Sequence, residues 1–138
     1  MKPLYTATVT ASGGRDGKVA ATEPALSLAL TTPKAMGGPG GEGTNPEQLF
    51  AAGYSACFLS ALKLVARLQK TPVEDATITA QVTLGKSDAG AYTLAVRLAG
   101  HIPGKSREEA QALLAAAHQV CPYSNATRGN IAVELVVE

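Results

Sequence analysis

Along residues 4–11 the chain alternates, with Tyr5, Ala7, Val9 and Ala11 on one side and Thr6, Thr8 and Thr10 on the other. A period of two predicts a half-buried strand. The following Ser12-Gly13-Gly14-Arg15-Asp16-Gly17 predicts a hairpin. Its Asp16-Gly17 pair suits a type I′ turn, in which both central residues take positive φ. Residues 18–21 are then the returning strand. Residues 25–30 form a third, with Leu26, Leu28 and Leu30 on one face. A glycine-rich stretch spans residues 37–43, and its last six residues satisfy G-x-G-x-x-G. No buried strand leads into it, Pro39 interrupts it, and no acidic residue follows about 20 positions on, so it reads as a turning loop and not a dinucleotide site.

A helix is predicted next. Asn45 suits the cap, Pro46 the first helical position and Glu47 the positive end of the helix dipole. Residues 48–70 carry no proline, and residues 49–62 carry no charge. A helix apolar on all sides is a buried one, and this length implies that a second subunit covers part of it. Thr71-Pro72 ends it. Residues 77–84 and 91–98 both alternate and form a second hairpin. Ser106 and Glu109 form a capping box, opening a helix with the stripe Ala110, Leu113, Leu114 and Ala117. Cys121-Pro122 lies just past its end, where the chain is expected to be mobile, and residues 130–137 read as a final strand. The order predicts an α+β fold of antiparallel sheets around a long buried central helix, in one domain spanning residues 1–138.

With 46% apolar and 17% charged residues, the chain is not disordered. A net charge of +1 and 4% aromatics argue against nucleic-acid partners. No uninterrupted apolar run reaches the ~18 residues of a membrane span, and the N-terminus lacks an apolar signal region. The expectation is a cytoplasmic protein with no membrane partner, in which stable disulfides are rare.

Two cysteines are the candidate chemistry. Cys57 sits in the charge-free part of the helix, where burial raises a thiol pKa. It is some three turns from the helix start, beyond reach of the dipole. A reactive thiolate therefore needs a cation from elsewhere, and Arg15, Arg97, Arg107 and Arg128 are all available. The 64 positions separating Cys57 from Cys121 leave any pairing open. His101, His118 and the two cysteines are the available soft metal ligands; without a C-x-x-C pair they do not predict a metal centre. Phe50, Phe58 and Met36 are candidates to line an apolar pocket, though each suits a plain core as well.

Three blocks go further. They are Gly13-Gly14-Arg15-Asp16-Gly17, residues 43–58 (GTNPEQLFAAGYSACF) and residues 120–130 (VCPYSNATRGN). In content and order they closely resemble the organic hydroperoxide resistance proteins (Ohr) of the OsmC/Ohr superfamily. The resemblance implies an intertwined homodimer with its sites at the subunit interface. It further implies a thiol-dependent peroxidase that reduces alkyl and fatty-acid hydroperoxides to alcohols. Cys57 then matches the peroxidatic cysteine, which becomes a sulfenate, and Cys121 the resolving cysteine that closes a Cys57–Cys121 disulfide. Arg15 matches the residue that stabilises thiolate and peroxide, and Glu47 the one that orients Arg15. No bound cofactor or metal is implied. The reductant that the resemblance implies is a dihydrolipoyl dithiol on a lipoylated protein.

Ten residues separate Glu47 from Cys57, about 15 Å along a helix and roughly 80° around it. On one straight helix their side chains cannot converge. If all four residues share a site, either Arg15 and Glu47 come from the partner subunit or the helix start bends back; the expectation is a site built from both chains. The alternative to the peroxidase function is a thiol redox sensor or lipid-binding module without turnover.

Overall fold

The computed structural model describes all 138 residues. They form two compact units, Met1–Leu49 and Phe50–Glu138.

In the first unit, β1 (Val9–Ser12), β2 (Lys18–Ala21) and β3 (Ser27–Ala29) form an antiparallel sheet in the order β1-β2-β3. The first strand is shorter than its alternating segment. Its partner ends at Ala21, which pairs with Val9, and Pro24 beyond brings no N–H. Within the chain β1 is exposed along its whole length, not half-buried as the alternation predicts. Of the three leucines predicted to share a face, Leu30 is buried and Leu28 exposed. The hairpin is not the two-residue type I′ turn. Its connection is a 3-10 turn over Gly14–Asp16, with positive φ at Gly13 (73°) and Gly14 (60°). Gly17 has an ordinary negative φ. It is needed for a different reason, because a Cβ there would lie 1.7 Å from the Ser12 carbonyl oxygen.

α1 (Pro46–Leu68) starts as predicted, with the Asn45 Oδ1 accepting the Gln48 N–H at 2.9 Å. It ends two residues before the expected Lys70. There Lys70 takes φ 58°, and the N–H groups of Lys70 and Thr71 return to the carbonyls of Arg67 and Ala66. That is the Schellman pattern, with lysine where glycine is usual. One stripe of α1 is buried: Tyr54, Phe58, Ala61, Leu62, Val65 and Ala66. Leu64 and Leu68 are exposed, so within one chain the helix is not buried on all sides. By length and composition α1 could also cross a membrane, which counting uninterrupted apolar residues does not register. Its buried stripe instead joins the core of the second unit.

That core is completed by β4 (Thr77–Lys86), β5 (Tyr92–His101), α2 (Arg107–Val120), α3 (Pro122–Thr127) and β6 (Val133–Val137). β4 and β5 are antiparallel. β6 pairs with β5 in parallel, which the helical crossover through α2 and α3 permits. The α2 capping box forms in both directions, and the predicted stripe of Ala110, Leu113, Leu114 and Ala117 is buried. α3 is not anticipated by the sequence pattern. Gly100 in β5 lets the sheet approach α2, since a Cβ there would lie 2.7 Å from a Leu114 methyl.

Gly100→Ala is expected to destabilise the fold by about 1–3 kcal/mol through overpacking, and Leu114→Ala by about 3 kcal/mol through a cavity. Because the two changes share one space, the double variant should lose less than the sum in equilibrium denaturation.

Candidate active site

In the first unit, the 3-10 turn presents Arg15 and the first turn of α1 presents Glu47. Arg15 Nη1 donates to Glu47 Oε2 at 2.8 Å and Nη2 to Oε1 at 2.6 Å. This is a two-pronged pair that fixes the guanidinium plane. The same Nη1 lies 3.9 Å from Met36 Sδ. The turn itself is pinned by the Thr32 N–H donating to Asp16 Oδ1 at 2.9 Å. The hydrogen bonds from Arg15 hold the Glu47 carboxyl below its ordinary range, against a smaller opposing effect of burial. The carboxylate in turn raises the Arg15 guanidinium further.

The second unit brings the two cysteines together. Cys121 Sγ lies 3.7 Å from Cys57 Sγ, both as free thiols. Burial contrasts with the sequence expectation. Cys57 is half-buried, while Cys121 is fully buried. Cys121 is not in a mobile loop. It is the single residue between α2 and α3, capping the end of one and the start of the other. Pro122 explains the arrangement, because it has no N–H to continue α2 but suits the first position of a new helix. The Cys121 N–H bonds the Ala117 carbonyl, and its own carbonyl accepts from the Asn125 N–H, both at 2.9 Å.

Burial raises the Cys57 thiol pKa, and the Cys121 thiol adds to the rise; the backbone N–H of Tyr123 works against both. Beside Cys57 is a cavity of about 350 Å³ walled by Ser60, Ala61, Leu64, Val120 and Pro122. None of Phe50, Phe58 and Met36 lines it. Phe58 is core, and Phe50 packs edge-on against Tyr54. Gly53 admits the Tyr123 ring to the helix surface, since a Cβ there would lie 2.8 Å from the tyrosine oxygen.

Sequence reasoning misses a polar cluster next to the thiols. Tyr54 OH lies 2.9 Å from Ser124 Oγ and 3.1 Å from Thr127 Oγ1, and His118 Nδ1 lies 2.8 Å from Ser124 Oγ. The signal was available in principle: Tyr54 sits one helical turn before Cys57, and His118 and Ser124 stand three residues either side of Cys121. Burial lowers the His118 pKa, and Arg128 lowers it further. Of the other arginines, Arg97 pairs with Glu134 at 3.4 Å, and Arg128 bonds the His118 carbonyl and Asn125. Arg107 opens α2. No group of three or more His, Cys, Asp or Glu side chains is close enough to hold a metal ion.

Because the native Glu47 pKa is depressed, its contribution to stability is present above its ordinary value of 4.5 and is lost as pH falls through the native value. Glu47→Gln should therefore destabilise the protein at pH 7, by about 1 kcal/mol for a pair that is partly open to solvent. Denaturation curves of the two proteins should converge as the pH is taken well below 4.5.

Three comparisons bear on what this arrangement is. A family profile described as "OsmC-like protein" matches residues 38–136. The organic hydroperoxide resistance protein of Xanthomonas axonopodis pv. citri is 50% identical over 137 residues, covering 99% of this chain and 96% of the relative. The crystal structure of an organic hydroperoxide resistance protein from Legionella pneumophila superposes with TM-score 0.93 at 51% identity, covering 99% of both chains. That of OhrB from Bacillus subtilis gives TM-score 0.90 at 45% identity, covering 99% of this chain and all of the other. Full-length similarity at this level, on the same α+β fold, means that the chain belongs to the OsmC family and, within it, to the organic hydroperoxide resistance proteins.

Proposed function

We propose that this protein is a cysteine-based peroxidase that reduces organic hydroperoxides to alcohols. The observation that carries the reading is the 3.7 Å approach of the Cys57 and Cys121 sulfurs, with only Cys57 partly open to solvent. A partly open attacking thiol backed by a buried second thiol suits a sulfenate formed on one and trapped by the other.

The Cys57 thiolate attacks one peroxide oxygen. The S–O bond forms, the O–O bond breaks, and the alkoxide leaves to take up a proton as the alcohol. Sulfur is oxidised to sulfenic acid and the peroxide is reduced. The Cys121 sulfur then displaces the hydroxyl as water, giving the disulfide. Closing from 3.7 Å to a bond of about 2.05 Å requires only a small local shift. A dithiol of dihydrolipoyl type, carried on a lipoylated protein, restores both thiols by two exchange steps. The apolar walls beside Cys57 favour alkyl or fatty-acid hydroperoxides over hydrogen peroxide.

The thiolate is the difficulty, since the surroundings of Cys57 in its own unit raise its pKa. A fixed cation answers it. Arg15, held flat by Glu47, has the planar fork to stabilise thiolate and peroxide oxygens together. Glu47 and Cys57 lie ten residues apart on α1, too far to meet on one helix. The reading is therefore an intertwined homodimer in the cytoplasm, each site taking Arg15 and Glu47 from one protomer and the cysteines from its partner. The exposed side of α1 and the exposed β1 support it, as apolar surface that a partner would cover. The whole chain acts as one peroxidase domain.

With dihydrolipoamide as reductant, wild type should turn over cumene hydroperoxide much faster than hydrogen peroxide. Cys57→Ser should be inactive, and Arg15→Ala slowed about a hundredfold, as for loss of one preorganised donor. One oxidation per molecule without turnover would favour the sensor reading instead. Co-folding the Arg15→Ala and Cys57→Ser chains in equal amounts tests the shared site. Mixed dimers should restore about a quarter of wild-type activity, whereas a site within one chain restores none.

A further inference from the structure

The four side chains beside the thiols admit only one pattern of donors. Thr127 Oγ1 donates to the Ser124 carbonyl at 3.2 Å, because a carbonyl can only accept. Thr127 has then used its single proton, so Tyr54 must donate to it. Tyr54 has then used its own, so Ser124 donates to Tyr54. Ser124 in turn can only accept from His118, which must carry its proton on Nδ1. Four hydrogen bonds thus run one way, from His118 through Ser124, Tyr54 and Thr127 to the Ser124 carbonyl. Tyr54 and Ser124 are fully buried and Thr127 nearly so.

Its placement gives this chain a meaning. His118 and Ser124 join across the bend at Cys121, three residues either side of it. Ser124 is tied to Tyr54, which precedes Cys57 by one turn of α1. The Tyr54–Ser124 bond and the Cys57–Cys121 approach are therefore neighbouring rungs between the same two segments. We propose that the His118–Ser124–Tyr54–Thr127 chain is a positioning device for the second step: it holds Cys121 against Cys57 so that the sulfenate closes to a disulfide before a second peroxide oxidises it to sulfinic acid.

This rests on the peroxidase reading of Cys57 and adds residues that act through the placement of Cys121. In over-oxidation the sulfenate attacks a second hydroperoxide, gaining one oxygen and releasing a second alcohol, and no disulfide forms. The chain acts on the competition between the two routes, and not on the first attack.

The test treats reduced protein with graded tert-butyl hydroperoxide without reductant. It measures the rate of Cys57 thiol loss and, by mass spectrometry, the ratio of sulfinic acid to disulfide. Tyr54→Phe keeps the ring and removes one link; Ser124→Ala removes the hub. His118→Leu removes the terminal donor, and His118→Asn places an amide N–H near the Nδ1 position. In the first three variants thiol loss should stay within about twofold of wild type. The sulfinic-to-disulfide ratio should rise about fivefold, the worth of one net hydrogen bond, and His118→Asn should bring it back toward wild type. Tyr54→Phe keeps the ring in the core and removes only the hydroxyl, so it answers even where Ser124→Ala folds poorly. An unchanged ratio in folded Tyr54→Phe and His118→Leu, even with lowered thermal stability, overturns the proposal and makes the chain purely structural. Wild type that neither loses the Cys57 thiol nor forms the disulfide overturns the peroxidase reading itself.

Discussion

Tyr54, Phe58, Ala61, Leu62, Val65 and Ala66 recur at three- and four-residue intervals and sink into one core with Val96, Leu98 and Leu114. Cys57 is next to Phe58 but off that stripe, so it stands at the margin of the core instead of inside it. The same packing seats α2 and α3, and with them the bend that carries Cys121. Without the buried stripe there is no fixed surface from which one sulfur can face another. The thiol pair is a by-product of where a helix meets the end of another, and its geometry is as firm as that packing.

Two electrostatic demands pull apart at Cys57. Apolar walls suit an apolar ligand, yet the burial they bring disfavours a charged sulfur at Cys57. The chain handles its own cation with more care than a surface charge needs, clamping Arg15 on a glycine-built turn and gripping it with both oxygens of Glu47. A guanidinium restrained in this way loses little further freedom when it meets an anion, which is what preorganised stabilisation requires.

Much of this is legible in the residues. The α1 start at Asn45-Pro46-Glu47, the α2 capping box and its buried stripe follow from local chemistry, and they stand where the pattern puts them. What fails is what depends on neighbours distant in sequence. β1 is cut short by its partner's end at Ala21, a fact of register that alternation does not contain. The positive φ of the first hairpin falls on Gly13 and Gly14, because the turn is a 3-10 turn and longer than Asp16-Gly17 suggests. β6 runs parallel to β5, which only the crossover decides. At the site, the sequence blocks point to Arg15, Glu47, Cys57 and Cys121, but the burial of the two thiols is the reverse of what their local surroundings suggest. Pro122, which looks like the start of a loop, is the start of a helix. Ser124 and Thr127 are buried polar residues whose partner lies some 70 positions away, and no periodicity reveals that.

The one-way run of donors through Ser124, Tyr54 and Thr127 also has a thermodynamic side. Three isolated hydroxyl groups could each point in several directions. Here each has one, dictated in sequence by a carbonyl that cannot donate. Reversing any single rotor would set two protons face to face or leave two lone pairs opposed, and the carbonyl at the end fixes the sense of the whole row. This corner, which joins the same two segments as the thiol pair, therefore has one arrangement of protons that satisfies every one of these contacts.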